Sequence, residues 1–138
     1  MDYTDIVLDH ARNPRNVGFI EDHDGMGTYG DPNCGDFAVM TIKVRGERLT
    51  DVRYLVQGCG AAIATCSMAT ELVKGKPLSE ARKLTDEDVT EALGGLPEVK
   101  LHCSNLAASA LQNAIEDYYK RQRTDLHNWR ALYTRAMR

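Results

Sequence analysis

The sequence predicts an α+β domain in which helices pack on one face of a small antiparallel sheet. Two strand-forming segments are joined by the short turn Arg45-Gly46-Glu47-Arg48, and a connection this short makes the pair a hairpin. A helical stretch precedes these strands, and only helical stretches follow them. At 138 residues a single core is the natural expectation.

Each element has a local cause. Tyr3 to Ala11 reads as a short helix with Ile6, Val7 and Leu8 as its apolar centre, ended by Asn13-Pro14-Arg15-Asn16 because the residue before proline avoids helical geometry. A first strand is expected near Gly25 to Tyr29. Phe37 to Val44 is rich in strand formers, and Leu49 to Gln57 alternates with Val52, Tyr54 and Val56 on one face. Gly58-Cys59-Gly60 breaks the pattern. Ala61 to Lys74 then reads as a buried helix with Ala61, Ile63, Ala64, Met68, Leu72 and Val73 as packing residues, stopped by Gly75. Ser79 to Arg82 predicts a helical turn. Thr85 is an N-cap for a short helix that runs to Leu93 and closes at Gly94-Gly95. A long helix opens near Cys103, with Leu106, Ala107, Ala110, Leu111, Ala114, Ile115 and Tyr118 spaced three and four apart. Thr124-Asp125 reads as a fresh N-cap. The domain is therefore drawn at 1–123, with a helical extension over 124–138 whose stripe is Leu126, Trp129, Leu132, Tyr133 and Ala136.

Composition bounds the function. Hydrophobic residues make up 43% and charged residues 27%, ordinary values for a globular chain. A net charge of −3 gives nucleic-acid binding no whole-chain support. No apolar run approaches the roughly 20 residues that span a bilayer. The acidic start Met1-Asp2-Tyr3-Thr4-Asp5 lacks a signal-peptide pattern, so a cytoplasmic location is expected. There the 4 cysteines stay reduced and point to metal or redox chemistry.

Three of them sit at structural junctions. Cys34 lies in a loop before a strand, Cys59 between a strand and a helix, and Cys103 at the start of the long helix. Helix N-termini favour thiolate over thiol and offer amide donors to a bound anion. Gly35, Gly58 and Gly60 let backbone approach a bound group closely. A single cysteine is ordinarily a small buried hydrophobe; three at such junctions read as one soft-metal site. Asp36 follows Cys34 by two residues, so on an extended chain both point to the same side. His102, beside Cys103, is the competing fourth ligand. A carboxylate is a harder and weaker partner than thiolate for iron in a sulfide cluster, which makes release easier. Cys66 falls inside the apolar helix pattern and reads as core. His10, His23 and His127 read as surface or packing residues, and the Lys120, Arg121, Arg123 run as a solvated helix end.

These residues carry a family resemblance. The chain resembles the IscU/NifU N-terminal iron–sulfur cluster scaffold family through Gly30-Asp31-Pro32-Asn33-Cys34-Gly35-Asp36, Gly58-Cys59-Gly60 and its continuation to Glu71, and Val99-Lys100-Leu101-His102-Cys103-Ser104. Asn13-Pro14-Arg15-Asn16 also fits. The resemblance runs from about Tyr3 to Lys120 and implies a three-stranded antiparallel sheet of the SufE/NifU-like type. It implies a scaffold, not an enzyme, that builds a [2Fe–2S] cluster from iron and from sulfur delivered by a cysteine desulfurase, and passes it to apo-proteins. Cys34, Cys59 and Cys103 are then the thiolate ligands and Cys103 the persulfide acceptor. Asp36, His102 or a residue of another subunit supplies the remaining ligand, and a homodimer around the cluster is one such arrangement. Zinc is an alternative occupant of the metal site. The short stretch between Cys59 and Cys103 resembles the IscU branch more than the SufU branch. Leu96-Pro97-Glu98-Val99-Lys100 departs from the family's usual Leu-Pro-Pro-Val-Lys, and the charge of Glu98 argues against recognition by a DnaK-type chaperone.

Two rivals start from the same residues. A thiol catalyst would use Cys103 as nucleophile and His102 as base, but adjacent helical residues diverge, so direct contact between them is not expected. A structural zinc module would more often show paired cysteines at short spacing.

Overall fold

The computed structural model describes residues 2–33 and 35–136, with side chains described as far as Thr124. The elements are α1 (Asp5–Arg12), β1 (Gly25–Gly30), β2 (Phe37–Arg45), β3 (Arg48–Gln57), α2 (Gly60–Val73), α3 (Leu78–Ala81), α4 (Asp86–Ala92) and α5 (Leu101–Ala136), with a 3-10 turn at Glu98–Lys100 before α5. The sheet is three-stranded and antiparallel in the order β1-β2-β3. This is the α+β architecture that the order of segments predicts.

Register decides what lies on the core side. Gly25 pairs with Ile42 and Ile42 with Val52; Gly27 pairs with Met40 and Met40 with Tyr54. These rows face α5 and α2, and all six residues are buried. Fully burying a side chain such as Met40 or Ile42 contributes about 1.5–3 kcal/mol each. A register shift between Lys43 and Val44 lets Leu49 and Val52 both reach the core although they lie three residues apart. Met26 and Leu55 remain exposed on the opposite face.

At Gly25 and Gly27, β1 meets α5 with no side chain of its own between the two backbones. A Cβ built on Gly27 would strike the main chain of Ala110 and Ala114, and one on Gly25 the carbonyl of Ala114. The small residues Ala107, Ala110 and Ala114 supply the matching stripe on the helix. This closeness also covers the free edge of β1. Asp117 Oδ2 accepts from the Met26 amide at 2.9 Å, and Asn113 Nδ2 donates to the Thr28 carbonyl at 2.8 Å. The opposite edge, on β3, is covered by the chain after α1: the Tyr54 amide donates to Asn16 O at 3.1 Å, and the Gly18 amide to Tyr54 O at 2.9 Å. Both edges are thereby closed to further strand pairing. Asn16 adopts φ 62°, a left-handed conformation that asparagine tolerates well, and its side chain bonds Thr70 and Lys74 on the α2 side.

Local signals account for most boundaries. Thr4 caps α1 through the Val7 amide, and Thr85 forms a reciprocal capping box with Asp88 on α4. Gly75, at φ 81°, follows α2. Three expectations need correction. In α1 the buried residues are Val7 and His10, while Ile6 is exposed, because only one stripe of so short a helix meets α2. In α2 Met68 and Leu72 do pack against the core, but they and Ile63 stay half-buried, and the deepest positions are mostly small (Ala61, Ala62, Ala64, Thr65, Cys66, Ser67, Ala69), since neighbours press on nearly every side. At Thr124 the helix does not restart. α5 runs through, and Thr124 Oγ1 donates back to Lys120 O at 3.1 Å. Lys120, Arg121 and Arg123 are therefore mid-helix, with Arg121 bonded to Asp117 and to the His23 carbonyl. The side chains of the Leu126, Trp129, Leu132, Tyr133 and Ala136 stripe, and of His127, lie outside the described residues.

His10 is the buried titratable link between α1 and α2. Its Nδ1 lies 2.8 Å from Ser67 Oγ, which also accepts from the Arg15 amide at 2.9 Å. Burial, then the nearby Arg15 charge, hold its pKa below the ordinary 6.5, against the opposing pull of Asp9 and Glu71. The unfolded chain therefore binds this proton at higher pH than the folded one does. Stability from this site is complete above pH 6.5 and declines as pH falls toward the folded-state value.

Two predictions follow from the packing. Gly27→Ala should cost about 3 kcal/mol or more, because the methyl group meets backbone that cannot move aside; urea unfolding with a midpoint within error of wild type contradicts the close approach. Lowering the pH below 6.5 should reduce the thermal midpoint more in wild type than in His10→Gln. Parallel midpoint curves for the two proteins contradict a buried neutral His10.

Candidate functional site

The site forms where the β2–β3 hairpin opens. Phe37 pairs with Gln57, so the preceding Asp36 and the following Gly58 stand opposite each other at the end of the ladder. Gly58 is needed there for space: a Cβ would lie 2.7 Å from Asp36 Oδ1 and 2.9 Å from the Ala62 Cβ. Its role is to admit the Asp36 carboxylate. Gly35 and Gly60 face no such crowding; the nearest atom to a Cβ on Gly60 is the Ala11 methyl at 3.7 Å. The next residue, Cys59, is the N-cap of α2. The packing of α5 on β1 brings the helix start over the same point and delivers Cys103 from its first turn.

The result is a compact donor set. One carboxylate oxygen of Asp36 and the sulfurs of Cys59 and Cys103 all lie within 4.8 Å of one another. Cys103 Sγ is 3.8 Å from Asp36 Oδ2, and His102 Nε2 stands 3.5 Å from that same oxygen. His102 Nε2 is also 3.6 Å from Cys103 Sγ. The divergence argument against a Cys103–His102 contact is thus overturned. The Cα–Cβ bonds do diverge, but the imidazole is long enough to fold back over the helix start. Cys34 lies outside the described residues. Gln57 Nε2 donates to the carbonyls of Pro32 and Gly35 at 3.2 and 3.4 Å, tying the 31–36 loop to the end of β3.

The two described thiols of the donor set differ sharply. Cys59 is half-buried, and burial is the largest single influence, opposing ionisation; the amides of Ala62 and Ala61, the Lys100 ammonium and the Cys103 thiol together outweigh it and lower its pKa. Cys103 is wholly buried, and burial, then the Cys59 and Asp36 charges, push it up to about 12. The helix-start argument for thiolate therefore holds at Cys59 and fails at Cys103, where desolvation exceeds the helix dipole. Cys66 is fully buried with its pKa raised by burial, in keeping with a core role. His10 is likewise a packing residue, and His23 lies edge-on to Phe19.

Above the donor set is an open cleft of about 490 Å³, walled by Tyr29, Gly30, Asp31, Gly35, Asp36, Cys59, Lys100, His102, Asn105 and Leu106. Soft sulfur beside a hard oxygen suits iron or zinc more than magnesium or calcium. Two participants escaped the sequence reasoning. Lys100 Nζ donates to Cys59 Sγ at 3.6 Å, and Gln57 clamps the loop. Lys100 lies two residues before His102, yet no pattern of charges shows which way its side chain turns. The thiol-catalyst rival gains the His102 contact, but burial and the Cys59 charge oppose ionisation of Cys103 in this conformation, and any nucleophilic role of this sulfur must first relieve that burial. Among the described residues no helix is long and apolar enough to cross a membrane.

Comparison with known proteins places the chain among relatives. The family model of the NifU-like N terminal domain matches residues 2–125. The iron-sulfur cluster assembly scaffold protein IscU 1 of Archaeoglobus fulgidus is 58% identical over 119 residues, covering 86% of this chain and 78% of the relative. The IscU scaffold of Aquifex aeolicus is 52% identical over 123 residues, covering 88% and 78%. That of Escherichia coli K12 is 48% identical over 122 residues, covering 86% and 94%. In fold, the chain superimposes on a SUF-system scaffold protein of Fervidobacterium islandicum AW-1 with a TM-score of 0.66 at 22% identity, over 82% of this chain and 96% of that one. A NifU-like N-terminal protein of Brucella abortus gives a TM-score of 0.64 at 20% identity, over 85% and 94%. A domain match across most of the chain, joined to relatives above half identity, settles its kinship: this chain belongs to the NifU-like N-terminal domain family.

Proposed function

We propose that this chain is an iron–sulfur cluster assembly scaffold that builds a [2Fe–2S] unit and hands it to apo-proteins. The observation that carries this reading is the carboxylate and two sulfurs gathered within 4.8 Å below an open cleft. Iron is bound by Cys59, Cys103 and Cys34, with Asp36 as the fourth ligand and His102 as the alternative beside it. A cysteine desulfurase supplies sulfur as a persulfide. A thiolate of this chain attacks the outer sulfur, the desulfurase cysteine departs as thiolate, and two electrons from an external donor release sulfide into the cluster. Cys103 is the acceptor in this reading. Because it is buried and protonated here, acceptance is coupled to movement of the 98–103 turn. Zinc is an alternative occupant of the same donors. No chemical transformation other than this assembly is assigned, and a cytoplasmic setting keeps the thiols reduced. In this reading residues 1–123 are the scaffold unit and 124–138 an extension, of which the described backbone, 124–136, continues α5.

The labile position is the oxygen ligand. Asp36 shares its Oδ2 among Cys103 and His102, so a bound metal would meet a donor already engaged and softer neighbours ready to replace it.

Three measurements test the reading. Cys59→Ser and Cys103→Ser should each reduce the visible absorption formed on anaerobic reconstitution with iron and sulfide to near background; full reconstitution in either removes that ligand. Asp36→Ala should lengthen cluster half-life in the presence of an apo-acceptor several-fold, and an unchanged or shortened half-life excludes Asp36 as the labile ligand. In the metal-free protein, alkylation near pH 7 should modify Cys59 well before Cys103 and Cys66; faster labelling of Cys103, mapped by mass spectrometry, contradicts the thiol asymmetry.

A further inference from the structure

We infer that Lys100 is the built-in counter-charge of the site: its ammonium, aimed at the Cys59 sulfur, sets the reduction potential of the cluster held there. This rests on the scaffold reading above and adds a positioning residue to it.

Lys100 Nζ stands 3.6 Å from Cys59 Sγ, within reach of an N–H···S hydrogen bond. The two residues come from different elements. Cys59 caps α2, whereas Lys100 ends the 3-10 turn before α5, where its amide donates to Pro97 O at 2.8 Å. A lysine at such a turn is free to extend into solvent, and holding it inward costs side-chain entropy. The Cys59 sulfur offsets that cost. Among the described residues walling the cleft, Lys100 is the one lysine or arginine, and the same wall carries the carboxylates of Asp31 and Asp36 and the imidazole of His102.

A cluster held by thiolates and a carboxylate is net negative, and reduction adds a further negative charge. An ammonium beside a ligating sulfur stabilises the reduced form more than the oxidised one. Hydrogen bonds to cluster sulfurs and local net charge are the protein's principal means of tuning this potential. Lys100 supplies both from one atom.

The test compares reconstituted wild type, Lys100→Gln, Lys100→Arg and the control Lys120→Gln by optical redox titration of the cluster bands. Lys120 lies about 25 Å beyond Cys103 along α5, further than the screening length at physiological salt. The thermal midpoint of each metal-free protein establishes that it is folded. Lys100→Gln should titrate at a lower potential than wild type, with Lys100→Arg close to wild type and Lys120→Gln indistinguishable from it. A folded Lys100→Gln protein that loses its cluster on reduction, while Lys100→Arg keeps it, also bears out the inference. An unshifted Lys100→Gln potential, an equal shift in Lys120→Gln, or cluster loss in both Lys100 variants overturns it. Failure of wild type to form any cluster overturns the scaffold reading instead, so the two outcomes stay distinct.

Discussion

At Gly25 and Gly27 the main chain of α5 runs so close to β1 that a single methyl group would strike the backbone of Ala110 and Ala114. This contact fixes the height and direction of α5 over the sheet. Asn113 and Asp117, one turn apart, then reach the open edge of β1 and satisfy its Thr28 carbonyl and Met26 amide. With the helix seated, its first turn overhangs the end of the β2–β3 hairpin. There the register has already set Asp36 against Gly58 and placed Cys59 one residue on. Cys103 meets Asp36 and Cys59 as a consequence. The site is therefore the intersection of two constraints, a glycine–alanine contact and a hairpin register, and neither includes a metal.

The electrostatics of the gathered groups are unequal by design of the backbone. Cys59 sits at a helix N-cap with amides before it and an ammonium beside it, so its thiolate is favoured despite partial burial. Cys103 sits deeper, with carboxylate and thiol for neighbours, and stays protonated. Binding a cation reverses the penalty at Cys103, because the positive charge supplies what the interior lacks. Proton release and metal uptake are thus coupled at the buried sulfur, while the outer sulfur is prepared beforehand. Such a division suits a protein whose cargo must arrive and leave.

Much of this was legible before any coordinates. The hairpin follows from alternation and from Arg45-Gly46-Glu47-Arg48, and the α5 stripe from its spacing. Cys34, Cys59 and Cys103 stand out because glycines and structural junctions surround them, and Asp36 because it follows Cys34 by two residues; of these, the structure brings Asp36, Cys59 and Cys103 together, and Cys34 lies outside the described residues. What stayed hidden depends on neighbours distant in sequence. The inward turn of Lys100 requires the α2 cap. The fold-back of His102 onto Cys103 requires the Asp36 oxygen as a second partner. The burial of His10 requires Ser67 on α2. The small-residue circumference of α2 defeats a search for large apolar residues at helical spacing, since helices and sheet crowd it from several sides. Thr124 resembles a cap in sequence, yet its hydroxyl is satisfied within a continuing helix.

The central claim is that Cys59 and Cys103 hold a single inorganic core, with the Asp36 carboxylate or the neighbouring His102 imidazole beside them. Iron-edge anomalous diffraction from crystals of the anaerobically reconstituted protein tests it most directly. The account predicts adjacent iron peaks within bonding distance of the Cys59 and Cys103 sulfurs, with the Asp36 carboxylate or the His102 imidazole beside them. Iron located away from these sulfurs, or bound to one of them without the other, contradicts it.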